Sequence, residues 1–284
     1  MSLKTVESKR KYSLRDFTTI KIGGQARYFF VTNAIDVLRD VVRDVAGSYY
    51  LLGGGSNLLV EDSSIDKTVL KLGEGFSYIK GTADSIEVGA ATPFSCLMSY
   101  ALKNNLGGFE NLVGIPATLG GLIVMNASSY GRDISYSLDE VEIMDSKGEI
   151  KRLKKEDISF SYRQSSLNGK VVLRAWFKLS KEDNLRIKVS QFIKDRIAKQ
   201  DFDFPSCGCI FKNPGNFAAG FLIDSCGLKG ARKNGAQVSM KHANFIVNIG
   251  NATYNDVDYL ISHIKDKVHR KFGLVLEEEV ERWV

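Results

Sequence analysis

Apolar residues recur at helical spacing at Val37, Leu38, Val41, Val42 and Val45, and the run Tyr49-Tyr50-Leu51-Leu52 that follows breaks at three glycines before Leu58-Leu59-Val60. The pattern predicts a helix, a strand, a tight glycine turn and a second strand. Ser85-Ile86-Glu87-Val88-Gly89 alternates as a strand does. Thr92 and Pro93 then supply an N-cap and a first-turn proline for a helix with Phe94, Leu97, Met98, Ala101 and Leu102 on one face, ended by Gly107-Gly108. From Leu138 to Leu179 the chain reads as β: Val141–Met144 and Glu149-Ile150 flank the hairpin signal Ser146-Lys147-Gly148, and Lys170–Leu179 is a further strand. Residues 184–200 are helical in pattern, with Ile187, Phe192, Ile193 and Ile197 as the apolar positions, and are placed to link two domains. A helix from about Asn216 to Cys226 stops at Gly227, and a strand over Asn244–Val247 follows. The last helix starts at Thr253, with Asp256 completing a variant capping box, and carries Val257, Leu260, Ile261, Ile264 and Val268. LVLEEEVERWV closes the chain as a strand.

A length of 284 residues suits about two domains with a sizeable core. Hydrophobic residues at 44% and charged residues at 25% are ordinary for a globular protein. The opening MSLKTVESKRKYSLRDF has no apolar signal-type stretch and no later run is long enough to span a bilayer, so no membrane partner and a cytoplasmic location are expected. Cys96, Cys207, Cys209 and Cys226 are too few for a disulfide scaffold and are expected as reduced thiols. A net charge of +6 suits an anionic partner, nucleic acid or a phosphorylated small molecule. The densest basic cluster, KRLKK at 151–155, is flanked by Glu149, Glu156 and Asp157 and reads as a solvated surface. No nucleic-acid motif is present, and no nucleic-acid partner is expected.

Five stretches carry candidate chemistry. In LLGGGSNLLV three glycines after a strand permit positive φ and aim N–H groups at one point, a geometry suited to a pyrophosphate, while Ser56 and Asn57 add side-chain hydrogen bonds. The pattern is neither GxGxxG nor GxxxxGK[ST], which disfavours a Rossmann site and a P-loop. GGFENLVGIPATLGGLIVMNASSYG, from Gly107 to Gly131, suggests backbone with little regular helix packed against a flat ligand. In Phe160–Ser166, Arg163 is costly to bury without an anionic partner, a substrate group or a structural carboxylate. In CGCIFKNP, Cys207 and Cys209 with Cys226 and His242 have poor spacing for zinc, and the tight ring disfavours a disulfide. In LEEEV, Glu277 and Glu279 share one strand face and Glu278 takes the other, so alternation does not select one carboxylate.

In this order, and with TTIKIGGQA from Thr18 to Ala26, SYRQS, GCIFKNP, AAGFLIDSCGLKG and GAQVSMKHANFIVN, these stretches resemble the UDP-N-acetylenolpyruvoylglucosamine reductases in their compact form, over nearly the whole chain. The resemblance implies an α+β protein: a two-lobed FAD-binding domain of the vanillyl-alcohol-oxidase type, with lobes at 1–80 and 81–183, and a smaller substrate-binding domain at 184–284. It implies non-covalent FAD, NADPH as co-substrate and a UDP-sugar substrate whose enolpyruvyl ether is reduced. Gly53, Gly54, Gly55, Ser56, Asn57 and Leu58 are implied around the FAD pyrophosphate, and Gly114, Ile115, Pro116, Gly120 and Gly121 along the flavin. Arg163 and Glu279 are implied to stabilise the enolate, Arg163 against the substrate carboxylate. The family's proton-donor position holds Cys209 where a serine is usual, and a free thiol, with an ordinary pKa near 8.5, donates a proton more readily than a hydroxyl. Cys207 is expected as a structural neighbour. Tyr162, Lys212, Asn213 and Gln237 match positions at or beside the sugar-nucleotide site, and Lys212 suits a diphosphate. Ala117 in place of the usual glycine, and Ser128-Ser129 in place of Gly-Ala, add atoms near the expected flavin. No metal is expected, the chain is expected as a monomer, and one cleft is expected to serve both substrates in turn. The alternatives are a flavin oxidase of the same superfamily, disfavoured because His242, His263 and His269 all lie outside the FAD domain, and a zinc-stabilised nucleotide-binding module.

Overall fold

The computed structural model describes residues 12–81 and 85–284. In chain order its longer elements are β1 (Phe29–Thr32), α1 (Ile35–Asp44), β2 (Tyr49–Leu52), β3 (Leu58–Val60), β4 (Thr68–Leu72), β5 (Ile79–Gly81), β6 (Ser85–Gly89), α2 (Phe94–Asn104), α3 (Leu119–Val124), β7 (Leu138–Met144), β8 (Ile150–Lys154), β9 (Val171–Lys178), α4 (Leu185–Lys199), β10 (Ser206–Cys209), α5 (Ala219–Ser225), β11 (Ala236–Val238), β12 (Phe245–Asn248), α6 (Tyr254–Phe272) and β13 (Glu281–Trp283). Contacts divide the described chain into two compact units. One holds Tyr28–Gly54 and Lys67–Arg196; the other holds residues 12–27, Gly55–Asp66 and Ile197–Val284. Neither unit is contiguous in sequence.

The first unit contains two sheets of three or more strands among the described residues. β1, β4 and β2 pair in parallel, in that order, with registers Phe29↔Val69 and Tyr49↔Thr68. Leu38, Val41 and Val42 of α1 pack with Phe30 and Leu70 of this sheet and with Phe76, Met144, Val171 and Leu173. Removal of these side chains from water is the main stabilising term for so short a helix. The second sheet is antiparallel, in the order β8-β7-β9-β6-β5. The expected hairpin joins β7 to β8, and the Asp145 carboxylate accepts the N–H groups of Lys147 and Glu149 across its turn, each at 3.0 Å. The core behind this sheet includes Phe94, Phe109 and Phe177, with Phe109 edge-to-face on Phe177 at 5.1 Å between ring centres.

Three local expectations for this unit are corrected. Thr92 does not cap α2: its hydroxyl donates to the carbonyl of Tyr78 at 3.1 Å and accepts the Tyr78 N–H at 3.0 Å, lacing the helix entrance to the segment before β5. α2 ends before Gly107-Gly108, because Asn105 takes the left-handed conformation at φ 52°. The apolar stripe expected on α4 is also wrong. Ile187 and Ile197 are 59% and 56% exposed, while Leu185, Val189 and Arg196 are buried.

In the second unit β10, β12 and β11 pair in that order and extend to Arg232–Lys233. α5 is shorter than its sequence pattern and ends before Gly227, at φ +69°. α6 opens with the expected capping box: the Thr253 hydroxyl accepts the Asp256 N–H, and the Asp256 carboxylate accepts the Thr253 N–H. Its buried residues Val257, Leu260, Ile261, Ile264 and Val268 join a cluster with Ile20, Leu59, Cys207, Ile210, Phe211 and Val280. Only Glu281–Trp283 of the closing stretch forms a strand, β13, which runs parallel to β3 with Glu281 opposite Leu58. Just before it Phe211 and Glu278 form an antiparallel bridge.

Candidate active site

In the first unit the turn after β2 meets the approach to α3. A Cβ on Gly54 would lie 3.0 Å from both the Ala117 Cα and the Pro116 carbonyl, so any larger residue would force this tight backbone approach to open by a few tenths of an ångström. Gly114, Ile115 and Pro116 lead into α3, where Gly120 and Gly121 sit in the first turn. A Cβ on Gly120 would meet that of Ala90 at 3.2 Å, so Gly120 also serves packing against the end of β6. Lys71, which sequence reasoning missed, projects from β4 and donates to the Gly53 carbonyl at 3.2 Å. Burial pushes its pKa down, and it has no carboxylate partner among the described residues. A half-buried cation beside a glycine turn fits an anionic group. The residues present therefore suit the pyrophosphate of FAD.

Arg163 occupies the tip of the tight hairpin between Phe160–Ser161 and Gln164–Ser165, in the left-handed region at φ 59°. Its guanidinium donates to the Ser128 carbonyl at 2.9 Å and to the Ser128 hydroxyl at 3.0 Å. Asn126 donates to the Ser161 carbonyl at 3.0 Å, and the Ser165 hydroxyl donates to the Val124 carbonyl at 2.7 Å. These bonds tie the hairpin to the end of α3. Ser129 likewise accepts from Arg196 at 3.0 Å. The two serines that the sequence marked only as added bulk thus each receive an arginine. Tyr162 is 48% exposed, with the Arg163 guanidinium 5.3 Å from its ring centre.

In the second unit Gly55–Leu58 lie beside the two-thiol segment. Thr19 links them, with its N–H on the Gly55 carbonyl at 3.0 Å and its hydroxyl on the Ser206 carbonyl at 2.7 Å. A regular strand would turn Cys207 and Cys209 to one face. Here Ser206 pairs with Val247 and Cys209 with Phe245, so one extra residue forms a bulge on β10, and Gly208 adopts φ +79°. Cys207 is 1% exposed within the hydrophobic cluster, and burial pushes its thiol up to about 12. Cys209 is only partly buried.

After Cys209 the chain pairs with the acidic run. The Ile210 carbonyl accepts the Glu279 N–H at 2.8 Å, and the Lys212 N–H donates to the Glu277 carbonyl at 2.9 Å. Cys209 and Glu279 thereby sit on neighbouring segments. Glu277 pairs with Lys212, the cation matched to the sugar-nucleotide site. Glu278 pairs with Lys265 of α6 and with Arg282. Burial alone would raise the Glu278 pKa, but those two cations outweigh it and hold the carboxyl below its ordinary range. Glu277 and Glu278 thus each have an ion-pair partner from another segment of the chain. The Asn213 side chain accepts the Ala219 N–H at 2.9 Å at the start of α5, and Gln237 donates to the Gly230 carbonyl at 3.3 Å. Burial holds the His242 imidazole below its ordinary pKa, with its ring 4.6 Å from that of Phe245. Among the described residues no group of three or more His, Cys, Asp or Glu side chains is arranged to hold a metal ion, and no helix is long and apolar enough to cross a membrane.

Residues 28–154 match the family described as "FAD binding domain", and residues 200–283 match "UDP-N-acetylenolpyruvoylglucosamine reductase, C-terminal domain". With mixed helix and sheet and these two matches, the protein is an FAD-binding oxidoreductase. Curated UDP-N-acetylenolpyruvoylglucosamine reductases are similar to it along nearly their whole length. That of Thermotoga petrophila is 40% identical over 278 residues, 94% of this chain and 95% of the relative; that of Halalkalibacterium halodurans is 37% identical over 287 residues, 99% of this chain and 95% of the relative. The crystal structure of the Thermus caldophilus enzyme superposes with a TM-score of 0.86 at 33% identity, covering 97% of this chain and 98% of that one. The chain belongs to the UDP-N-acetylenolpyruvoylglucosamine reductase family.

Proposed function

We infer that the protein reduces the enolpyruvyl ether of UDP-N-acetylglucosamine enolpyruvate to UDP-N-acetylmuramate, with NADPH as reductant, in peptidoglycan precursor synthesis. When bound, FAD supplies hydride transfer from NADPH to the methylene carbon of the substrate. Gly53, Gly54, Gly55, Ser56 and Leu58, with Lys71 and the backbone alone of Asn57, are proposed around its pyrophosphate, and Gly114, Ile115, Pro116, Gly120 and Gly121 along its ring system.

As hydride reaches the methylene carbon, negative charge develops on the adjacent carbon and its carboxylate. Arg163 is proposed to neutralise that carboxylate, held ready by the carbonyl and hydroxyl of Ser128. Glu279 is proposed as its partner in stabilising the enolate, and the Cys209 thiol as the acid that protonates the carbon. The observation that carries this reading is the bulge at Gly208, which buries one thiol and leaves the other beside the Glu279 segment. Tyr162, Lys212, Asn213 and Gln237 are proposed to contact the UDP-sugar. A cytoplasmic monomer using one cleft for both substrates in turn completes the proposal.

The test is the anaerobic absorbance of the FAD-loaded protein. NADPH should bleach the flavin band and UDP-N-acetylglucosamine enolpyruvate should restore it. With Cys209→Ala bleaching should persist and restoration should slow by about 100-fold, the scale of a lost general acid. Restoration at the full rate in Cys209→Ala, with loss in Cys207→Ala, would exchange the roles of the two thiols.

A further inference from the structure

We propose that Asn57 is a positioning residue for Glu279: its side-chain amide fixes the backbone that carries the catalytic carboxylate, so that the segment leading into β3 and the enolate-stabilising segment before β13 are one mechanical element. The inference rests on the proposed role of Glu279 and departs from the expectation that the Asn57 side chain serves the cofactor.

The Asn57 amide nitrogen donates to the Glu279 carbonyl at 2.9 Å. The Asn57 carbonyl accepts the Glu281 N–H, also at 2.9 Å. From the next residue onward β3 runs parallel to β13, Leu58 opposite Glu281 and Leu59 opposite Arg282. On the other side of the same residue, the Glu279 N–H goes to the Ile210 carbonyl at 2.8 Å. Glu279 is therefore held at its N–H by the residue after Cys209 and at its carbonyl by Asn57. With both peptide groups bonded, the backbone torsions that aim the side chain have little freedom. The flanking carboxylates reinforce this: Glu277 is tied to Lys212, and Glu278 to Lys265 and Arg282.

The chemistry requires an amide. A carbonyl can only accept, so the residue at 57 must donate, and it must do so while its own backbone stays in the turn. Aspartate has the same shape but presents an acceptor to the Glu279 carbonyl, and alanine presents nothing. A displacement of about 1 Å at a reacting group costs on the order of 100-fold in rate. Loss of this one bond should therefore appear in the step that uses Glu279 and not in the step that does not.

The experiment uses FAD-loaded protein with Asn57→Ala, Glu279→Gln and the double variant, followed by anaerobic stopped-flow. Expected is slower return of the flavin band with saturating UDP-N-acetylglucosamine enolpyruvate, by about 10- to 100-fold in Asn57→Ala, with bleaching by NADPH and the FAD dissociation constant changed less than about twofold. Asn57→Ala should add no further loss in the Glu279→Gln background, because a positioning residue has nothing left to position. The proposal is overturned if both half-reactions slow together with weaker FAD binding, which would return the side chain to the cofactor, or if the two losses multiply independently. Slow return in Glu279→Gln with a normal rate in Asn57→Ala would sink this proposal alone. A normal rate in Glu279→Gln would sink the role of Glu279 and the proposal with it. If Asn57→Ala does not fold, Asn57→Ser, which keeps a short donor, should show an intermediate loss confined to the same half-reaction.

Discussion

Gly208→Ala isolates the backbone device that separates the two thiols. Gly208 sits at φ +79°, and a Cβ built there would meet nothing nearer than the Ser56 carbonyl at 3.9 Å, an ordinary contact. Steric collision therefore contributes nothing, and the cost is that of a left-handed alanine, about 1–2 kcal/mol. Gly169 offers a matched control, at φ +77° with nothing within 4 Å of its Cβ. Both alanine variants should lose similar stability, lowering Tm by about 2–4 °C per kcal/mol in a protein of this size. Only Gly208→Ala relieves its strain by shifting the bulge that carries Cys209. It should slow return of the flavin band with the sugar nucleotide by at least about tenfold, leave bleaching by NADPH intact, and increase labelling of Cys207 by a thiol reagent under native conditions. The wild-type Cys207 should resist labelling because its thiol, pushed up to about 12 by burial, is almost wholly protonated at neutral pH. Equal loss of stability in the two variants, with an unchanged return rate in Gly208→Ala, would refute the claim that the bulge positions Cys209.

Other outcomes follow from the same geometry. Lys71→Met should weaken FAD binding by about tenfold or more, the scale of one charge-assisted hydrogen bond, and flatten its salt dependence in a fluorescence titration; unchanged binding would remove Lys71 from the pyrophosphate site. Ser128→Ala should slow return of the flavin band through Arg163 while leaving Tm nearly unchanged, since the Arg163–Ser128 carbonyl bond survives. Glu278 has a folded pKa below its unfolded value of 4.5, so its contribution to stability is present above that pH and is lost as pH falls through the lower folded value. Glu278→Gln should therefore flatten the acid limb of Tm against pH, and an unchanged limb would mean that other carboxylates set it. Thr253→Ala breaks the capping box of α6 and should cost about 1 kcal/mol in urea unfolding, with FAD binding untouched.

The amphipathic periods determined α1 and α2, and period with end or turn signals determined α6 and the β7–β8 hairpin, because those cues are local: residues three and four apart share a helix face, Thr253 and Asp256 cap across a single turn, and Asp145 closes its own turn. Motif order carried the family. The sequence also placed Arg163, Cys209 and Glu279 as candidates through resemblance, but alternation along EEE left all three carboxylates open. Only tertiary structure assigned Glu277 and Glu278 to their ion pairs, since Lys212, Lys265 and Arg282 approach from other segments of the chain. The same is true of the thiols. A two-residue spacing implies a shared face unless the partner strand has one residue fewer, and that count exists only once β10 is paired with β12. Asn57 looked like cofactor chemistry because its neighbours are glycines; its hydrogen bond crosses 222 residues of sequence, a separation that no local pattern encodes.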